Sequence, residues 1–139
     1  MSVVAGVDES DMSRLVVERA IEQTRWRQTD LHLVHASHMP VPYTEVPIDW
    51  TEILEARRAS VWAGLDPLLE DVDVALQRVD LDGYPPDALV EYASLVGASL
   101  LVVGTRGRGE LASLVLGSTS HRAIHLSRCD VLVVKEPGG

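Results

Sequence analysis

Five short apolar runs recur along the 139-residue chain, and a helical pattern or a turn separates each from the next. The runs are Ser2 to Val7, Leu31 to Ala36, Val72 to Val79, Ser99 to Val103, and Val131 to Val134. Helical spacing of apolar residues predicts helices over Met12 to Arg27, Trp50 to Leu69, Asp87 to Val96 and Ser118 to Ser127. The order is β-α-β-α-β-α-β-α-β. Strands that alternate with helices in this way are joined by crossovers, so they must lie mainly parallel with helices on both faces. The expected class is a single α/β domain, residues 1–139, and no linker, repeat or low-complexity segment divides it.

Breakers separate the elements. Asp8-Glu9-Ser10-Asp11 supplies turn and capping chemistry after the first run. Residues 38–49 hold Pro40, Pro42 and Pro47, which rule out a regular element and predict a long loop. Pro67 is expected to bend or shorten the second helix, and Gly97 to stop the third.

The densest chemistry follows the fourth run. Leu100-Leu101-Val102-Val103 leads directly into a loop with Gly104, Gly107 and Gly109. Nine residues separate Gly107 from Gly117, and Ser118, Thr119 and Ser120 follow at the start of a helix. Glycines let backbone N–H groups close around an anion. A helix N-terminus adds free N–H groups and a positive dipole end. The joint spacing reads as a two-part phosphate cradle, and a plain turn followed by a Ser118 N-cap is the alternative. A Walker-type loop is excluded, because no Lys follows Gly117. Gly107-Arg108-Gly109-Glu110-Leu111-Ala112 also fits a dinucleotide fingerprint, but too little chain follows it for another βαβ unit.

Net charge narrows the ligand. At −9 the chain lacks the basic face that nucleic-acid binding needs, yet a local site for a small phosphorylated ligand is compatible with it. Cys129 is the only cysteine, so no internal disulfide or thiolate cluster forms. No apolar run reaches membrane-spanning length. A soluble cytoplasmic protein, without membrane or nucleic-acid partners, is the expectation.

Gly104-x2-Gly107-x9-Gly117-Ser118 resembles the nucleotide-binding signature of the universal stress protein family, without a gap. Supporting segments are Val3-Val4-Ala5-Gly6-Val7-Asp8-Glu9-Ser10, Leu31 to Ala36, Leu101 to Gly109, and Cys129 to Val134. The resemblance implies a five-stranded parallel sheet of order 3-2-1-4-5 with helices on both faces. It implies binding of ATP, or of AMP or cyclic AMP, with Mg. On this basis Asp8 lies by the ribose, phosphates or metal, and Ala36 meets adenine through its backbone. Gly104, Thr105, Arg106, Gly107, Arg108 and Gly109, with Gly117, Ser118 and Thr119, hold ribose and phosphates. A homodimer through Val131 to Val134 is implied as well. The chain departs from the family at Asp130, where many members have proline, and at Ala36, where valine is commoner.

The implied role is a stress-response sensor or regulator that binds adenine nucleotide. A dimeric interaction module with an empty site is the alternative. An adenylate-forming or hydrolysing enzyme of the related fold is disfavoured, since Val7-Asp8-Glu9-Ser10 lacks paired glycines after the first strand. No catalytic constellation stands out, and slow ATP hydrolysis is the most that is expected. His121 and His125 share a helix face but lack the glutamate of a zinc-protease motif. His32, His35 and His38 read as packing or surface residues, Asp8 also as a cap of the first helix, and Cys129 as a small apolar residue.

Overall fold

The structure is a computed structural model that describes residues 1–37, 49–105 and 117–136. Its strands are β1 (Val3–Gly6), β2 (Leu31–Ser37), β3 (Leu76–Asp82), β4 (Leu100–Gly104) and β5 (Asp130–Val134). Its helices are α1 (Met12–Arg27), α2 (Thr51–Leu69), α3 (Pro85–Leu95) and α4 (Ser118–Leu126). The sheet order is β3-β2-β1-β4-β5, every pairing is parallel, and the expected α/β class and order 3-2-1-4-5 hold. No helix among the described residues is long and apolar enough to cross a membrane.

β1 sits at the centre, with Val3 paired to Leu31 on one side and to Leu100 on the other. Its Val3, Val4 and Ala5 are wholly buried. Successive strand side chains point to opposite faces, so one run feeds two cores. Val3, Ala5, Leu31, Leu33 and Val102 pack with Val16, Val17 and Ala20 of α1 and Val61 and Leu65 of α2. Val4, Val34, Leu101 and Val103 pack with Leu89 and Ala93 of α3 and Ala123 of α4. β1 and β4 are covered on both faces, which is why their runs are apolar throughout and lack the alternation of a half-exposed strand.

β3 departs from expectation. The reading placed it at Val72 to Val79, whereas it begins at Leu76 and ends at Asp82. Pairing with β2 decides this: Leu31 faces Leu76, and the register continues to Ser37 opposite Asp82. β3 is an edge strand, and charged residues serve an edge better than apolar ones. Three of them face α2 partners spaced one turn apart. Arg78 meets Asp66 at 2.7 Å, the Trp62 Nε1–H donates to Asp80 at 3.1 Å, and Arg58 pairs with Asp82. The Arg78 guanidinium also lies over the Trp62 ring, 5.6 Å from its centroid.

Pro67 does not shorten α2, which runs on to Leu69 with the proline inside its final turns. At the amino ends of the strands, His32 is buried between Tyr92, 2.6 Å from Nδ1, and Asp30, 2.8 Å from Nε2. It therefore packs α3 against β2. Of the predicted proline-rich loop, residues 38–49, all but Asp49 lie outside the described residues.

At the carboxyl end of β1, Gly6 allows α3 to approach closely. A Cβ at this position would lie 2.6 Å from Leu89 Cδ1, and Leu89 is itself buried. Gly6→Ala is therefore expected to overpack the α3 side and destabilise the fold by about 1–3 kcal/mol, read as a lowered melting temperature by circular dichroism. An unchanged melting temperature would mean that Leu89 has free room to move.

Candidate functional site

A cleft of about 400 Å³ opens at the carboxyl ends of β1, β2 and β4. Its place follows from the winding. From β1 the chain passes to β2 on one side, and it later returns to β4 on the other. The loops leaving β1 and β4 therefore diverge, and a crevice remains between them. The volume lies in the range of small-ligand pockets.

Six of the expected residues line this cleft together: Asp8, Ala36, Gly104, Gly117, Ser118 and Thr119. They come from three strand ends and one helix start. Thr105 is not among the lining residues and has a bracing task instead. Its N–H donates to the Val134 carbonyl at 2.9 Å, and its carbonyl accepts from Gly117 N–H at 2.6 Å. These bonds tie the ends of β4 and β5 to the start of α4. Arg106, Gly107, Arg108 and Gly109 lie outside the described residues.

Asp8 is held by its own loop. Its Oδ1 accepts from the Ser10 N–H at 2.8 Å, from the Ser10 hydroxyl, and from the Ser13 hydroxyl at 3.1 Å. Its N–H donates to Ser13 Oγ at 2.7 Å. The expected cap role is not made: Asp11 occupies the N-cap position of α1, with no side-chain capping bond. The short loop turns before the helix begins, and Asp8 closes that turn. Its orientation is thus set before any ligand arrives.

The start of α4 differs in a similar way. Gly117 is the N-cap residue, in extended backbone, and Ser118 is the first helical residue rather than the cap. The first backbone bond of the helix runs from the His121 N–H to the Gly117 carbonyl, at 3.0 Å. The helix supplies no acceptor for the amides of its first turn, which begins with Ser118 and Thr119 at the cleft. The Ser120 hydroxyl donates to the Gly117 carbonyl at 3.0 Å and steadies the turn.

Sequence reasoning missed several lining groups. Arg57 of α2 reaches Glu9 in the loop after β1, at 3.2 Å, and both line the cleft. Tyr84, Pro85 and Pro86, at the start of α3, form part of its apolar wall. Arg57 lies within a helix otherwise read for its apolar stripe, and no spacing in the chain links it to the β1 loop. The tyrosine and prolines form a turn into the start of a helix, a pattern that carries no sign of a cleft wall.

His35 also lines the cleft and is only 3% exposed. Its Nδ1 stands 3.6 Å from Asp80 Oδ1, too far for a hydrogen bond, and has no hydrogen-bond partner. Burial is the main reason that its proton affinity falls below the ordinary histidine value. Asp80 and Glu9 oppose that fall, and Arg58 adds to it. Among the described residues no group of three or more His, Cys, Asp or Glu side chains is placed to hold a metal. His121 and His125 meet edge-on at 4.7 Å between ring centroids, outside the cleft lining. Cys129 is half-buried, 3.3 Å from the Ser127 hydroxyl.

With this geometry in place, comparison with known proteins is informative. The family model described as the universal stress protein family matches residues 1–135. A universal stress protein of Methanocaldococcus jannaschii is 28% identical, over 97% of this chain and 82% of its own length. One from Bacillus subtilis is 29% identical, over 96% of this chain and 97% of its own. Among solved structures, a universal stress protein from Lactobacillus plantarum superposes with a TM-score of 0.84 at 20% identity, covering 96% of this chain and 97% of its own. A universal stress protein in complex with cAMP gives a TM-score of 0.72 at 29% identity, covering 97% of this chain and 96% of its own.

The buried His35 generates a pH prediction. Its folded-state proton affinity is depressed, so the unfolded chain takes up the proton first as pH falls. The stability it contributes is complete above the unfolded value of about 6.5 and is lost as pH drops through the folded value. Replacing it by a group that does not titrate, as in His35→Asn, should flatten the fall in melting temperature between about pH 7.5 and pH 5.5. Equal slopes in the two proteins would show that His35 does not carry this dependence.

Proposed function

Because the chain belongs to the universal stress protein family, we propose that it binds an adenine nucleotide and acts as a stress-response regulator rather than a turnover enzyme. One observation carries the reading. Asp8, Ala36, Gly104, Gly117, Ser118 and Thr119, far apart in the chain, line a single cleft at the switch point of a parallel sheet. The complex of a 29% identical relative with cAMP supports the ligand class.

In this reading the whole chain, residues 1–139, is one nucleotide-binding domain. Phosphate oxygens meet the first-turn amides of α4, where the helix dipole favours negative charge. Ala36 offers backbone to the base, and Arg106 with Arg108 faces the phosphates. ATP, AMP and cyclic AMP are the candidate ligands. With a polyphosphate ligand, Asp8 would hold Mg together with the phosphates, since Mg commonly takes one protein carboxylate in such sites. The bonds from Ser10 and Ser13 keep its carboxylate turned and ready for that task. Bound Mg would neutralise phosphate charge. Regulation then follows if nucleotide favours one arrangement of the cleft, because a ligand shifts only an equilibrium whose states it binds unequally.

A dimer through β5 fits this reading. β5 lies at the edge of the sheet, and Val131 to Val133 are only half-buried. Pairing with a second copy would cover that edge. The cytoplasm, where nucleotide is plentiful and a lone Cys129 stays reduced, is the proposed location.

The test is mass spectrometry of whatever small molecule leaves the purified protein on denaturation, with Gly117→Glu alongside. Gly117 has φ −65°, so the glutamate strains no backbone and acts through its bulk and charge in the cradle. Adenine nucleotide from the wild type and none from the variant is the expected result. Added ligand at about 100 times its dissociation constant should stabilise the wild type by about 2.7 kcal/mol, visible as a higher melting temperature. No released nucleotide, and no shift with ATP and Mg, AMP or cAMP, would leave the dimeric module with an empty site as the better account.

A further inference from the structure

We propose that Arg57 is an anion-binding residue of the cleft, whose guanidinium takes a phosphate oxygen of the ligand from the α2 side. This rests on the nucleotide reading above only in requiring a phosphorylated ligand, and it adds to that reading a side chain that holds the charge. Among the described residues, Arg57 is the one lysine or arginine that lines the cleft. Asp8 and Glu9 line it too. Two carboxylates raise the energy of a phosphate placed beside them, and a cation on the same wall offsets that repulsion.

The place of Arg57 follows from the pattern of α2. Residues four apart lie on one face of a helix. Val61, Leu65 and Leu69 are so spaced, and all three are buried in the core that α2 shares with α1 and the sheet. Arg57 is the next position along this stripe, where the packed face ends and the cleft begins. The core below therefore fixes its backbone. A cation on the inward face of a helix is costly without a partner, and Glu9, in the loop after β1, supplies one.

That pairing does not use the end of the side chain. Arg25, Arg58, Arg78 and Arg122 each commit a terminal amino group, Nη2, to a carboxylate elsewhere in the fold. None of these four lines the cleft. Arg58, the very next residue, gives Nη2 to Asp82 and to Ser37 Oγ. Arg57 instead meets Glu9 Oε1 through Nε, at 3.2 Å, and its two terminal amino groups stand outside that pair. Those groups form the planar fork that matches the spacing of phosphate oxygens. Glu9 thus holds the guanidinium by its inner nitrogen and aligns it before a ligand arrives. The opposite wall completes the arrangement. α1 and α2 cover one face of the sheet, and α3 and α4 the other. Arg57 and the first-turn amides of α4 therefore approach the cleft from opposite sides, and a phosphorylated ligand meets positive charge on both.

The experiment is calorimetric titration of the full chain, and of Arg57→Gln and Arg57→Lys, with AMP, cAMP and ATP with Mg, joined to phosphorus NMR of each saturated complex. A hydrogen bond between charged groups is strong enough that Arg57→Gln should weaken every phosphorylated nucleotide the wild type binds, by about 10- to 100-fold. Arg57→Lys keeps the charge but not the fork, and its affinity should fall between the other two. The phosphorus resonances of the bound ligand should differ between the wild type and Arg57→Gln, while the adenine H2 and H8 resonances stay in place. Circular dichroism reports whether each variant keeps the fold, and if Arg57→Gln does not, Arg57→Lys carries the same two readouts. Wild-type affinity in folded Arg57→Gln would overturn the inference and leave the nucleotide reading standing. A loss of affinity with the phosphorus resonances unmoved, or with the base resonances displaced as far, would overturn it too, by making Arg57 a structural partner of Glu9. Absence of any nucleotide binding by the wild type would remove both readings.

Discussion

Everything in this structure depends on the central place of β1. Its backbone is hydrogen-bonded to β2 on one side and β4 on the other, while α1 and α2 cover one face and α3 and α4 the other. A strand enclosed in this way accepts only apolar side chains, and Val3, Val4 and Ala5 meet that demand. Its enclosure ends at Gly6, where the missing side chain admits Leu89. The chain then enters the loop that carries Asp8. Core and site therefore share a boundary at one residue: what seals the interior below Gly6 shapes the cleft above it.

The two sheet edges are handled differently. β3 is joined to α2 by Arg78 with Asp66, Asp80 with Trp62 and Asp82 with Arg58. Exposed pairs of this sort contribute little each, so their main effect is to define which helix residues face which strand residues. A charged edge also resists pairing with another sheet. β5 is short and apolar, with no such set of charges along Val131 to Val134, and this contrast makes it the edge on which a second copy would add.

The cleft gathers residues that are distant in sequence. Asp8 is turned inward by Ser10 and Ser13, Thr105 braces the β4 end against β5 and α4, and Gly83 pins the Tyr84 turn to β2. Each is a short-range bond, and each fixes a backbone segment that would otherwise wander. The site is thus assembled by secondary contacts around the strand ends as much as by the residues that line it. Thr105 accordingly braces the backbone next to the cleft lining, while Gly117 takes the N-cap and Ser118 sits within the first turn.

The element order, the parallel α/β class and the glycine–hydroxyl signature were legible in the chain because they depend on local pattern: apolar runs, helical spacing and fixed intervals between Gly104, Gly107, Gly117 and Ser118. The start of β3 was not, because Val72 to Ala75 look as strand-like as Leu76 to Val79, and only the register against Leu31 separates them. Arg57, His35 and Tyr84 were not legible as cleft residues either. Arg57 reaches Glu9 only once α2 packs beside the β1 loop, and His35 is buried only once β3 and α2 close over it. Tyr84 joins the wall only through the bond from Gly83 to Ser37. Sequence by itself determined which segments become strands and helices, since propensity and periodicity act over a few residues. Tertiary structure alone decided which side chains meet at the cleft, since those meetings join residues tens of positions apart, and packing rather than spacing brings them together.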